Sequence, residues 1–210
     1  MAKVHKNILI VGGAGFIGSH LTERLVSSKY NVCVFDNLSN TSKNYNNKLC
    51  KQVYGDISNL KDISYCVKEF KPDILINLAA YHYIPNCIKD PKRTIRINVN
   101  GTKNSLEAIY KYSPNTKFIL TSSAAVYKPS IKKHTEKSLI KPVDIYGESK
   151  KRAEDVVEDY AKKFKIKYCI IRLFNVYGYG NNTPHLIPTI IDQIKNKKTI
   201  SLGNTQTKRD

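Results

Sequence analysis

The run Asn7-Ile-Leu-Ile-Val-Gly-Gly-Ala-Gly-Phe-Ile-Gly18 constrains this chain more than any other stretch. Asn7 to Val11 is strand-length and almost wholly apolar, which suits a parallel strand buried on both faces. Gly12, Gly15 and Gly18 follow in the spacing G-x-x-G-x-x-G, and a helical pattern then begins. The first glycine permits a tight turn out of the strand, and the second lets backbone approach a pyrophosphate. The third lets the new helix lie close to the sheet. The N-terminus of that helix would turn its free N–H groups and positive dipole end toward the phosphates. A glycine pattern alone is weak evidence, but a second marker accompanies it. The predicted strand 31–35 runs into Asp36, about 20 positions beyond the last glycine, where a carboxylate takes the ribose hydroxyls of NAD. An ordinary glycine-rich turn leaves Asp36 unexplained. The expected fold is α/β, a Rossmann-type doubly wound parallel sheet that binds a dinucleotide.

The rest of the composition bounds the reading. The chain has 210 residues, 41% of them hydrophobic, enough for one core with a small appendage. No apolar run approaches the ~20 residues of a membrane span, and nothing at the start has the form of a signal peptide. Membrane attachment is not expected. The five cysteines are scattered, odd in number and free of C-x-x-C. That is the usage of a reducing compartment, so a cytoplasmic protein with no metal framework is expected. Net charge is +18, from 35 basic against 17 acidic residues. Such a balance attracts anions, but the lysines are spread along the chain and come with abundant Asn, Ile and Tyr. A compositional origin is preferred over attraction of a nucleotide substrate, and nucleic-acid binding has no stacking motif behind it.

Along the chain, residues 19–29 read as a helix with Leu21, Leu25 and Val26 on one face. Residues 37–51 are a polar loop over the adenosine end of the cofactor. The lack of an Arg directly after Asp36 favours NAD over NADP, although Lys43 lies within reach. A brief strand at 52–54 leads to Gly55-Asp56-Ile57, where Asp56 suits an adenine amino group and Ile57 the face of the ring. Asp56 and Ser58 also precede the predicted helix Leu60–Phe70, with Ser58 as its N-cap. The strand Ile74–Asn77 runs into Leu78-Ala79-Ala80, where small residues admit a cofactor. Tyr81, His82 and Tyr83 then line the site mouth. A lone His such as His82 is more often a packing residue than a catalyst. Pro91 opens a predicted helix over 92–112, with Asn98 in its interior, a poor propensity choice that hints at a used side chain. The strand 117–121 ends in Ser122-Ser123-Ala124-Ala125.

Tyr146-Gly-Glu-Ser-Lys150 opens a helix reaching Phe164. Tyr146 and Lys150 stand at i and i+4 and so share a face. A phenol near pKa 10 is a poor base at neutral pH, but an adjacent ammonium favours the phenolate and lowers that value. The pair is a candidate general acid/base. Lys150 is also free to hold a ribose hydroxyl, and Ser123 to bond the same substrate oxygen. Spacing alone makes Y-x-x-x-K common; its place after a glycine turn and a serine-rich strand end makes it informative. A sixth strand over 167–173, a Gly/Asn/Pro loop and a helix from Leu186 complete the chain.

Together these residues resemble the extended short-chain dehydrogenase/reductases of the NAD-dependent epimerase/dehydratase family. The resemblance runs through residues 12–18, Asp36-Asn37, 55–57, 77–80, Asn98, 121–127, 146–150 and 172–175. It implies a cofactor set of Gly12, Gly15, Phe16, Ile17, Gly18, Asp36, Asn37, Asp56, Ile57, Ala79, Ala80, Tyr146 and Lys150. It implies catalysis by Ser123, Tyr146 and Lys150, with Asn98 supporting them through a proton-relay water. Ser123, Tyr146, Asn175 and Arg209 would contact a nucleotide-sugar. Dehydratases of this family carry an acidic pair at the strand end, where this chain has Ser123-Ala124-Ala125. The resemblance therefore implies a 4-epimerase acting on a UDP-hexose or a relative of one. A non-catalytic NAD-binding remnant and an NAD(P)H-dependent carbonyl reductase are the alternatives. Family members extend well beyond the equivalent of Asp210. The expected layout is an NAD-binding domain over 1–174 and part of a substrate-binding lobe over 175–210. The helices 92–112 and 145–164 resemble those that pair in homodimers of the family, which leaves the oligomeric state open.

Overall fold

The computed structural model describes residues 6–42, 45–46, 48–181, 183–196 and 199–203. Its centre is β1 (Asn7–Val11), which pairs in parallel with β2 (Asn31–Asp36) on one side and β4 (Ile74–Asn77) on the other. β3 (Lys51–Tyr54) extends the sheet beyond β2, and β5 (Lys117–Ser123) and β6 (Tyr168–Leu173) extend it beyond β4. The order is β3-β2-β1-β4-β5-β6, all parallel. The chain winds outward from β1 in one direction, crosses back and winds outward in the other. The reversal opens a crevice at the C-terminal ends of β1 and β4, where open α/β sheets bind ligands.

Alternation along β1 builds both layers. Leu9 and Val11 face the larger core, with Ile63 and Val67 of α2 (Leu60–Phe70), Leu106 and Ile109 of α5 (Gly101–Tyr112) and Val157 of α6 (Ile145–Phe164). Ile8 and Ile10 face a smaller core closed by Leu21, Leu25 and Val26 of α1 (Phe16–Ser27). Leu9, Leu75 and Phe118 are fully excluded from solvent, each worth about 1.5–3 kcal/mol of transfer free energy. No helix among the described residues is long and apolar enough to cross a membrane.

Several boundaries differ from the sequence expectation. α1 starts at Phe16 and stops at Ser27 because Lys29 turns left-handed, at φ +66°. The N-cap of α2 is Asn59, whose side chain accepts the Lys61 N–H, and not Ser58. Ser58 is drawn instead to Asp56, to which it donates from both its backbone N–H and its hydroxyl. The single helix expected over 92–112 is α4 (Pro91–Ile95), a π-helical turn (Arg96–Asn100) and α5 in direct succession. Ahead of them lies an unanticipated short helix, α3 (Ile84–Lys89). Pro85 and Pro91 each sit in the first turn of a helix, where a missing N–H costs nothing. Asp90 caps α4 by accepting the Arg93 N–H. Beyond β6 the chain is irregular until α7 (Leu186–Asn196). That irregular segment folds back over the crevice. His20 bonds the Tyr179 carbonyl at 2.9 Å, and Ser42 donates to the Gly180 carbonyl at 2.9 Å.

Candidate active site

The glycine turn is shaped by its neighbours. Gly12 has φ +80°, and a Cβ there would lie 2.6 Å from the Ala79 nitrogen. The chain leaving β4 therefore passes directly against the turn. A Cβ on Gly18 would lie 2.5 Å from both the Gly12 oxygen and the Gly13 Cα, so α1 rests on the turn itself. Gly15 is different. Its Cβ would meet only the Gly12 oxygen, at 3.4 Å, so no protein atom requires a glycine there. Gly15 is the N-cap of α1, without a side-chain cap and without an acid in the first turn. Phe16 and Ile17 begin the helix, the Phe16 ring edge-on to His20. This is an open anion seat of the kind that holds a dinucleotide pyrophosphate.

Asp36 ends β2 beside that seat. Its carboxylate accepts the Ala14 N–H at 3.0 Å and the Leu38 N–H at 2.8 Å. Burial raises its pKa above the ordinary value against the pull of these N–H groups. Asn37 donates to Asp56 at 3.2 Å, which joins two of the expected cofactor residues. Burial works to raise the Asp56 carboxyl, but Ser58, Asn37 and Arg96 together hold it below its usual value. Ile57 does not present its side chain as expected. It is 5% exposed and belongs to the larger core. A Cβ on Gly101 would lie 2.9 Å from its Cγ2, so α5 covers the side chain.

At the end of β4, buried Asn77 donates to the Thr102 hydroxyl and accepts the Ala79 N–H. Ala79 and Ala80 follow, half-buried at the crevice. Asn98 lies in the π-helical turn and is 2% exposed. Its carbonyl accepts the Tyr81 N–H at 2.7 Å, and its amide donates to the Tyr81 carbonyl and, at 2.8 Å, to the Ser149 hydroxyl. The side chain stitches the segment after β4 to α6. Its backbone carbonyl accepts the Thr102 hydroxyl at 2.7 Å.

Asp144 caps α6 through the Gly147 N–H at 2.8 Å, which places Tyr146 in the first turn. A Cβ on Gly147 would lie 2.4 Å from the Ala125 oxygen. The helix start thus sits on the 3₁₀ turn (Ala124–Val126) that follows Ser123, which brings Tyr146 near enough for the Ser123 hydroxyl to favour its phenolate. Lys150 is buried one turn on. Its Nζ donates to the Thr121 carbonyl at 2.9 Å and lies 6.0 Å from the Tyr146 ring centroid. Burial pushes its pKa down to about 8, against Glu154, which pulls it up. Tyr146 departs from expectation: burial raises its pKa above the ordinary phenol value, and Ser123 opposes that only in part. The lysine ammonium is turned to the Thr121 carbonyl, and desolvation of the phenol dominates.

The other expected residues are more dispersed. Asn175 is exposed just past β6. Arg209 and Lys43 lie outside the described residues. His82 reaches the Thr183 hydroxyl at 3.1 Å, and burial lowers its pKa. Sequence reasoning missed Glu154, and it placed Arg172 in the family resemblance without giving it a role. Glu154 is 1% exposed. It accepts the Ser122 hydroxyl and a fork from Arg172, at 2.9 and 2.8 Å. Arg172 also donates to the Tyr127 hydroxyl at 3.0 Å. The available signal was an acid four residues beyond Lys150, on the same helix face.

Comparison with known proteins shows relatives of the whole chain. Over 208 residues the chain is 34% identical to a putative UDP-glucose 4-epimerase of Methanocaldococcus jannaschii, covering 97% of this chain and 68% of the relative. It is 33% identical to a dTDP-D-glucose 4,6-dehydratase of Dictyostelium discoideum, covering 95% of this chain and 50% of the relative. Among solved structures, the UDP-glucose 4-epimerase of Thermotoga maritima with UDP-glucose superposes with a TM-score of 0.89 at 28% identity, over 97% of this chain and 68% of that one. The UDP-glucose 4-epimerase of Brucella ovis in complex with NAD gives 0.82 at 32% identity, over 89% and 60%. The chain thus spans between half and about two thirds of the length of these proteins. The profile of one family matches residues 8–210, and with that span and these relatives the chain belongs to the NAD dependent epimerase/dehydratase family.

Proposed function

We propose that this chain binds NAD and inverts the configuration at C4 of a nucleotide-linked hexose, of UDP-hexose type, through a 4-keto intermediate. The observation that carries this reading is the meeting of Tyr146, Lys150 and Ser123 at the end of β5, beside a glycine turn with an open helix N-terminus. The residues present fit the cofactor. Gly15 leaves space that no protein atom claims, and Asp36 stands beside it as a ribose acceptor. The curated and solved relatives named as UDP-glucose 4-epimerases support the same reading. Positions 123–125 read Ser-Ala-Ala, which supplies no carboxylate for the elimination of water.

When bound, NAD supplies a reversible hydride acceptor for C4. Tyr146, once ionised, takes the proton of the C4 hydroxyl, and Ser123 holds the same oxygen. Lys150, as an ammonium, stabilises the phenolate and offers donors to a ribose hydroxyl. The 4-keto sugar turns over in the site so that C4 would take the hydride back on its opposite face, and Tyr146 returns the proton to the C4 oxygen. Asn175 and Arg209 are assigned to the nucleotide-sugar, and residues 175–210 to a part of the substrate-binding lobe. A carbonyl reductase would use the same three residues and is separated from an epimerase by stoichiometry.

Proton NMR of UDP-glucose, UDP-galactose and their N-acetyl counterparts, incubated with the protein and trace NAD, tests the assignment. Interconversion of the anomeric signals without accumulation of NADH is the expected result. Tyr146→Phe should lower that turnover by roughly 10²–10⁴, the usual worth of general acid–base catalysis. Turnover close to wild type in this variant would remove Tyr146 from the mechanism. Stoichiometric use of NADH on a keto sugar would replace the epimerase with a reductase.

A further inference from the structure

Two charged side chains are fully buried among the described residues: Lys150, 4% exposed, and Glu154, 1% exposed. They stand one turn apart on one face of α6. An ammonium out of water loses its proton unless an opposite charge lies close. The groups facing Lys150 are the Thr121 carbonyl from β5, Tyr146 and Glu154 from α6, Cys87 from α3 and His82 from the segment after β4. Asp144, at the head of α6, acts on Tyr146 and Cys87. Burial raises both the Tyr146 phenol and the Cys87 thiol, so neither is an anion at neutral pH. Glu154 is the anion that remains. It is fixed from two other strands, by Ser122 on β5 and by the two-pronged grip of Arg172 on β6, which Tyr127 in turn orients.

We propose that Glu154 is a positioning residue for the Tyr146–Lys150 pair: a buried carboxylate, anchored by Ser122 and Arg172, that keeps Lys150 an ammonium. Its consequence for turnover rests on the proposed function; its effect on Lys150 does not. One carboxylate answers two cations, and its place one turn behind Lys150 keeps it from the Tyr146 hydroxyl. The lysine can therefore stay charged without an anion beside the phenol that must ionise.

The competing account is that Glu154 only neutralises Arg172 and ties α6 to the sheet. Both accounts lower the melting temperature on substitution, so stability does not separate them, whereas the titration of Lys150 does. In protein labelled with ¹³C and ¹⁵N at lysine, the Lys150 side-chain signal is the one lost in Lys150→Met. Glu154→Gln, which keeps hydrogen bonding to Ser122, should lower the Lys150 midpoint by roughly 1–3 pH units, the usual effect of one close opposite charge. An unmoved midpoint in folded Glu154→Gln overturns the proposal. Should that variant not fold, Glu154→Asp decides, because it keeps the charge and withdraws it by one methylene. A lowered midpoint supports the proposal and an unchanged one overturns it. The titration needs no sugar substrate, so a wild-type chain without turnover would sink the epimerase reading and leave this result intact.

Discussion

At the residue scale the site holds a destabilising group. Lys150 has a folded pKa of about 8 against an ordinary 10.5. Between these values the unfolded chain binds the extra proton, so stability rises with pH across that window. Below pH 8 the full cost of burying the charge is present; above about 10.5 it is gone. A tenfold change in proton affinity is worth about 1.4 kcal/mol, and an apolar replacement gives back about 1 kcal/mol by leaving the Thr121 carbonyl unpaired. Lys150→Met should therefore stabilise the protein by on the order of 1–3 kcal/mol at pH 7. The gain should shrink toward pH 10 as the cost disappears from the wild type. Urea midpoints at the two pH values measure this, and a Met variant no more stable than wild type at pH 7 would contradict the burial argument. The i, i+4 spacing made the shared face of Tyr146 and Lys150 legible in the sequence. The raised Tyr146 pKa was not, because desolvation depends on what surrounds the phenol and not on its neighbours in the chain. Glu154 was illegible for the same reason. On a helix that also carries Glu148, Asp155, Glu158 and Asp159, the i, i+4 spacing from Lys150 was the one local mark of the acid that faces inward, and spacing alone does not report burial.

At the scale of elements, the three glycines of the turn separate into two kinds. Gly12 and Gly18 are required by protein atoms, whereas Gly15 borders open space. Gly18→Ala should cost about 1–3 kcal/mol of stability, as overpacking does, and weaken NAD binding by shifting α1. Gly15 has φ −70°, which alanine adopts freely, so Gly15→Ala should cost under about 1 kcal/mol yet weaken NAD binding at least as much. Thermal melts beside calorimetry distinguish the two. A Gly15→Ala variant that melts like wild type and binds NAD normally would move the pyrophosphate away from this turn. Strand and glycine-turn positions were readable because apolar runs and glycine spacing are local signals. Helix α3 escaped because six residues are too few for a 3.6-residue period to show. The π-helical turn has no compositional mark at all, and its one trace was a poor helix former, Asn98, where a good one would be expected.

At the scale of the whole molecule, the sheet order was implied once the glycine turn and the alternation of strands and helices were recognised, since right-handed crossovers leave few other topologies. The net charge of +18 acts at this scale alone, through self-repulsion of the folded state. Raising ionic strength from about 0.01 to about 0.15 M shortens the screening length from about 30 to about 8 Å. The melting temperature should rise with it, by ~2–4 °C for each kcal/mol of repulsion removed; a flat or falling curve would show that the lysines are already balanced locally. The π-helical turn at Arg96–Asn100 also has a meaning for the entire fold. It sets the phase between α5, packed in the core, and everything before it back to Tyr81. Since each helical residue advances the chain by about 100°, losing one residue there would swing Asn98 off both Tyr81 and Ser149. The length of this stretch therefore works as a dial setting, and a one-residue deletion in it would disturb the site more than most substitutions within it.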